Sequence, residues 1–138
     1  MNKKLNSILL IDDNPADNLY HKMIIEGEEV TDSVKIAEDG VEAIDYLKST
    51  FDGKYPQPDL VFLDINMPRM NGWEFLEEYS RLNASQKGRS LLMMLSTSNT
   101  IEDKRKSEQY DFILGYGSKP LTVTMLWEII KESFPDYI

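Results

Sequence analysis

Five residues at the ends of apolar runs could do chemistry together. Asp12 and Asp13 close "SILLIDD", Asp64 closes "LVFLD", Ser96 closes "LLMMLS", and Lys119 comes just after "FILGY". Brought to one place, they make a cluster of three carboxylates with a hydroxyl and an ammonium. Packed carboxylates repel, so such a cluster needs a cation or a raised pKa. A hard divalent ion suits oxygen ligands: Mg²⁺, or Mn²⁺ in its place, takes one or two carboxylates together with waters and a phosphate. A carboxylate can attack phosphorus to give an acyl-phosphate, which makes Asp64 the candidate nucleophile. Ser96 and Lys119 can then hold two phosphoryl oxygens, by hydrogen bond and by charge. The metal and Lys119 would offset charge on the equatorial oxygens during in-line transfer.

These residues meet only if the surrounding elements place them together. The runs Ser7–Asp12, Leu60–Asp64 and Leu91–Ser96 are continuous and apolar, as in strands buried on both faces. Val34–Ala37 alternates like an edge strand, and Phe112–Tyr116 reads as a fifth strand. Between them lie helix patterns. Asn14 and Pro15 are suited to the N-cap and first position of a helix whose apolar residues are Ala16, Leu19, Tyr20, Met23 and Ile24. On that reading His21 lies on the polar side, at the surface. Val41, Ala43, Ile44 and Leu47 predict a second helix, and Trp73, Phe75, Leu76, Tyr79 and Leu82 a third. Thr100 and Asp103 form a variant capping box for a fourth, polar on nearly all sides and so loosely held. Its "EDKRK" run is a solvated face or a docking surface. Thr122 caps the last helix, which carries Val123, Leu126, Trp127, Ile130 and Phe134. Trp73 and Trp127 are expected to pack in or beside the core. Ser49–Pro58, with its Gly and prolines, is a loop too short to link domains.

Strand-helix alternation repeated five times predicts an α/β fold: a doubly wound, five-stranded parallel sheet with helices on both faces, in three layers. In such sheets the functional crevice lies outside the C-terminal strand ends, where all five residues stand. The 138 residues fit one domain, 1–138, and carry a net charge of -9. That charge disfavours nucleic acid, whose phosphates require clustered Lys and Arg. The absence of cysteine excludes disulfides and thiolate metal sites. No apolar stretch approaches the roughly 20 residues that span a bilayer, and "ILLI" is too short for a signal peptide, so a cytoplasmic protein with no membrane partner is expected.

The combination of "LLIDDN", "DLVFLDINMPRMNG", "LSTS" and "GYGSKP" in this order resembles the receiver domain of two-component response regulators, of the chemotaxis-regulator type. The resemblance covers nearly the whole chain. It implies the flavodoxin-like (βα)5 fold, with Asp64 as phospho-acceptor and Asp12 and Asp13 as the metal-binding pair. It further implies a metal-ligating backbone carbonyl at Asn66, a Ser96 and Tyr116 switch pair, Lys119 at the phosphoryl group, and a cis Lys119–Pro120 bond. A sensor histidine kinase would phosphorylate Asp64, and the face of the fourth helix, fifth strand and last helix would change its partner affinity. The partner would be a downstream protein, a phosphotransfer protein or a second copy. Relay, phosphate-sink and purely binding roles are alternatives within the family. The style of "FLDINMPRMNGWE" is similar to single-domain regulators of phytochrome-like kinases. The protein is then no enzyme beyond dephosphorylating itself.

Several positions depart from the family pattern. Ser96 stands where Thr is commoner, Thr97 where Ala is frequent, and Gly117 where an apolar residue is usual, which predicts a loosened end to the fifth strand. Asn66 and Ser98 occupy positions that tune dephosphorylation. Two other classes fit less well. A haloacid-dehalogenase-type phosphatase needs a general acid two residues after its nucleophile, and Asn66 cannot take that role. A flavodoxin-like flavin module wants a phosphate cradle after the first strand, where "DDNPAD" is acidic.

Overall fold

The computed structural model describes residues 4–67, 69–97 and 101–136. Thr100, and with it the expected capping box, lies outside them. The element order is β1 (Ile8–Ile11), α1 (Pro15–Gly27), β2 (Val34–Ala37), α2 (Gly40–Lys48), β3 (Leu60–Leu63), α3 (Gly72–Arg81), α4 (Ala84–Lys87), β4 (Leu91–Ser96), α5 (Ile101–Ser107), β5 (Ile113–Ser118) and α6 (Val123–Ser133). The five strands form one parallel sheet in the order β2-β1-β3-β4-β5, so the expected edge strand Val34–Ala37 is at an edge.

The apolar runs are continuous because each strand serves two cores. Leu9, Ile11, Val61, Leu63, Leu92 and Met94 point to one face and join Ala43, Ile44 and Leu47 of α2 with Phe75, Leu76 and Tyr79 of α3. Ile8, Leu10, Leu60, Phe62 and Leu95 point to the other and join Ile25 of α1 with Leu126 and Ile130 of α6. Successive strand residues face opposite ways, so each face takes every second side chain. Trp73 and Trp127 are half-buried at the edges of these cores.

Three features differ from the sequence expectation. A short helix, α4, precedes β4, which makes six helices among the described residues. It buries no side chain and is held by a reciprocal Asn83–Gln86 capping box. Strand β5 continues past Tyr116 to Ser118, because β4 offers partners as far as Ser96. Gly117 lies within β5, paired with Leu95, and the Met93 and Met125 methyls approach to 3.1 Å of where a Cβ would stand. Finally, α1 is turned away from its expected apolar face. Leu19, Tyr20 and Met23 are exposed, while Asn18, His21 and Ile25 are buried.

Asn14 and Thr122 cap their helices as expected, and Asn71, not anticipated as a cap, does so too. Asn14 accepts from Ala16 and Asp17, Thr122 from Met125, and Asn71 forms a full capping box with Glu74. Because Asn71 starts α3 straight after the Asp64 loop, Asn71→Ala is expected to lower stability by about 1 kcal/mol. Urea unfolding checks this; an unmoved midpoint would show that the cap contributes nothing.

Candidate functional site

The sheet order reverses between β1 and β3, and the C-terminal ends of these strands carry the carboxylates. Asp12 and Asp64 lie one residue beyond their strands yet remain on the last rungs: Asp12 N–H donates to Ala37, and Asp64 N–H to Ile11. Both side chains are buried, whereas Asp13 is exposed at the mouth. One carboxylate oxygen from each of Asp12, Asp13 and Asp64 falls within 4.8 Å of the others. Lys119 enters from the far side of the sheet edge. Its Nζ is 2.5 Å from Asp12 Oδ2 and 3.5 Å from Asp64 Oδ1. Its backbone N–H donates to the carbonyl of Ser96, itself fully buried, and the Lys119–Pro120 bond is cis. Tyr116 is half-buried and packs against the α2/α3 core, two residues before β5 ends.

Burial, then the charge of Asp12, pushes the Asp64 carboxyl up to about 6; Lys119 opposes this only in part. Burial alone would lower the Lys119 pKa. Hydrogen bonds to Asp12 and Asp17 and the charges of Asp12 and Asp64 outweigh it and hold the ammonium above its usual value. Excess negative charge around one buried cation is the condition a divalent ion would relieve.

The loop after Asp64 is fixed from two directions. Gly72 N–H donates to the Ile65 carbonyl at 2.7 Å. A Cβ on Gly72 would stand 2.8 Å from the Asp64 carbonyl oxygen and 2.9 Å from Ile65 Cα. Close approach of backbone, not an unusual φ, is what this position demands of glycine. On the outer side, Arg69, itself at φ 63°, pairs through two nitrogens with Asp39, the N-cap of α2. Burial would raise the Asp39 carboxyl, but the Glu42 N–H and Arg69 more than offset that and hold it low. Met70 lies against Gly40 at the start of α2, where a Cβ would stand 2.7 Å from Met70 Cγ.

Three residues of α1 join the site that the sequence reading did not place there. Asp17 Oδ2 is 3.0 Å from Lys119 Nζ. Asn18 Nδ2 donates to the Asp12 carbonyl at 2.8 Å. His21 is not at the surface: it is buried, and its Nε2 accepts the Leu121 N–H at 3.1 Å. Burial lowers the His21 pKa, against the pull of Asp12 and Asp17, which keeps that nitrogen an acceptor. A usable signal was present. Asp17 and His21 are four apart, hence on one helix face, and polar residues on a buried face must find partners. Thr97 is exposed beside Ser96, while Ser98 lies outside the described residues.

The arrangement can bind a hard cation through Asp12, Asp13 and Asp64. Two of those carboxylates are buried and the third is open to solvent, a donor set of oxygen only that fits Mg²⁺ with retained waters. Asp13 keeps one side of the cluster open to solvent.

The sequence model of the family described as response regulator receiver domain matches residues 8–131. A two-component response regulator from Cytophaga hutchinsonii superposes with a TM-score of 0.84 at 31% identity, over 94% of this chain and 97% of that one. The bacteriophytochrome response regulator AtBRR does so with a TM-score of 0.76 at 26% identity, over 94% and 92%. The probable methanogenesis regulatory protein FilR2 of Methanothrix harundinacea is 28% identical over 91% of this chain and 79% of that protein. Other relatives are longer: a protein-glutamate methylesterase/protein-glutamine glutaminase of Burkholderia thailandensis is 36% identical over 54% of this chain, which spans only 19% of it.

Proposed function

Because the chain belongs to the response regulator receiver domain family, we propose that it takes a phosphoryl group from a histidine kinase onto Asp64 and signals through the resulting change of shape. The observation that carries this reading is the shared cation. Lys119 lies within 3.5 Å of Asp64 and 2.5 Å of Asp12, at the sheet edge where three carboxylates converge. An Asp64 oxygen attacks the phosphorus of a phosphohistidine in line. The P–O bond forms as the P–N bond breaks, and the electron pair leaves on the imidazole nitrogen. Lys119 shifts from carboxylate to phosphoryl oxygen, and Ser96 supplies a hydroxyl on the other side. Asp12, Asp13, Asp64 and the Asn66 carbonyl would hold Mg²⁺, which offsets the repulsion between Asp64 and the incoming phosphoryl oxygens. Asn66 and Ser98 then set how long the acyl-phosphate survives against water.

The readout face is α5, β5 and α6, with Ser96 and Tyr116 as the moving pair. What supports this is the weak attachment of α5, whose one buried residue is Ser107. Such an element needs little free energy to move. The likeness to a bacteriophytochrome response regulator supports a phytochrome-like kinase as the donor. The recipient of the signal is a partner protein, a phosphotransfer protein or a second copy of the chain. Among the described residues no helix is long and apolar enough to cross a membrane.

Beryllofluoride mimics an acyl-phosphate on a metal-bound aspartate and tests the reading directly. Fluorine NMR is expected to show bound fluoride with Mg²⁺ in wild type and none in Asp64→Asn. Tryptophan fluorescence from Trp73, close to the acceptor loop, follows the same event. A wild type that binds no fluoride at saturating Mg²⁺ would sink the reading.

A further inference from the structure

The Lys119 ammonium has three N–H donors and three carboxylate partners: Asp12 at 2.5 Å, Asp17 at 3.0 Å and Asp64 at 3.5 Å. Two of these partners belong to the acidic cluster that a divalent ion would draw upon; Asp17 does not. The Lys119 side chain is only 10% exposed. An ammonium at that depth cannot simply give up its counter-charges, because an unpaired buried charge is costly. When Asp12 and Asp64 turn to a metal, Lys119 must keep a partner. Asp17 is the carboxylate left to it.

The position of Asp17 suits that task. It sits in the first turn of α1, where its own N–H is fixed by the Asn14 side chain at 3.1 Å. One turn later, His21 holds the Leu121 N–H. Helix α1 therefore grips Lys119-Pro120-Leu121 at two points. Resting on the phospho-acceptor reading above, we propose that Asp17 is a positioning residue. It receives Lys119 when the divalent ion takes Asp12 and Asp64, and so eases the exchange of ammonium for metal.

The test is a Mg²⁺ titration of the whole chain, followed by tryptophan fluorescence and by calorimetry, without any phosphoryl donor. Wild type, Asp17→Asn, Lys119→Met and the double variant close a cycle. Asp17→Asn is expected to weaken Mg²⁺ binding about two- to fivefold, since Asp17 is partly exposed and screened. In the Lys119→Met background the same change is expected to have almost no effect. An equal loss in both backgrounds would mean that Asp17 acts by its charge alone, and would overturn the proposal. So would unchanged affinity in Asp17→Asn. Asp17→Glu, which keeps the charge within reach of Lys119, is expected to stay within about twofold of wild type; a loss as large as that of Asp17→Asn also overturns it. A wild type that takes up no Mg²⁺ at all overturns both this inference and the phospho-acceptor reading. Uptake by wild type with an unmoved Asp17→Asn overturns this inference alone.

Discussion

Asp64→Asn is expected to abolish Mg²⁺-dependent fluoride binding and, in the same molecule, to raise stability at pH 7 by about 1–3 kcal/mol. The sign follows from the raised carboxyl. In the unfolded chain Asp64 titrates near 3.8, and in the folded chain near 6. Between those values the folded state holds the extra proton, so stability falls as pH rises through this window. At neutral pH the full penalty is present, about 3 kcal/mol at 1.36 kcal/mol per unit. A neutral amide of the same shape removes it, less whatever is lost when Lys119 surrenders one of its three partners. Below pH 4 the protonated acid and the amide are equivalent, and the gain should vanish. Urea unfolding of both proteins from pH 4 to 7.5 without metal checks the curve. A difference independent of pH, or a variant less stable at pH 7, would refute it. Saturating Mg²⁺ should narrow the gap from the other side, because a ligand that binds only the folded wild type stabilises it by mass action.

The same electrostatic logic explains what was legible in the sequence. Asp12, Asp13, Asp64, Ser96 and Lys119 could be placed together because each stands where an apolar run stops, and a parallel sheet gathers strand ends at one edge. Continuous runs such as "LVFL" announce burial on both faces, and the two cores show why. The buried face of helix α1 departs from its hydropathy pattern for a physical reason. Periodicity ranks side chains by hydropathy, whereas the inward face of α1 meets backbone polar groups, the Asp12 carbonyl and the Leu121 N–H. A face opposite such groups needs Asn18 and His21, and it leaves Leu19 and Met23 outside at 62% exposure each. Helix α4 is not legible from hydropathy because it has no apolar face; only the Asn83–Gln86 spacing marks it. The Arg69–Asp39 pair joins residues 30 apart, and no local pattern encodes it.

Gly72→Ala should be among the most damaging small substitutions in the chain, although helix propensity alone predicts the reverse. Gly72 is the first residue of α3, where alanine would gain up to about 1 kcal/mol over glycine. The space argues otherwise. The new methyl would stand 2.8 Å from the Asp64 carbonyl oxygen and 2.9 Å from Ile65 Cα, both backbone atoms that cannot swing aside. Either α3 moves off the loop, breaking the 2.7 Å hydrogen bond from Gly72 to Ile65, or Asp64 is pushed from its place beside Lys119. Overpacking of this kind costs about 1–3 kcal/mol, and the net loss expected is about 2 kcal/mol with Mg²⁺ affinity reduced alongside. Gly27→Ala supplies the contrast. It lies at the end of α1 with nothing within 4 Å of the added carbon, so propensity alone acts there and stability should hold or rise. Urea unfolding and Mg²⁺ titration of the two variants decide the matter. If Gly72→Ala matched Gly27→Ala in both, the loop would be free to retreat from α3, and Asp64 would not owe its position to that contact.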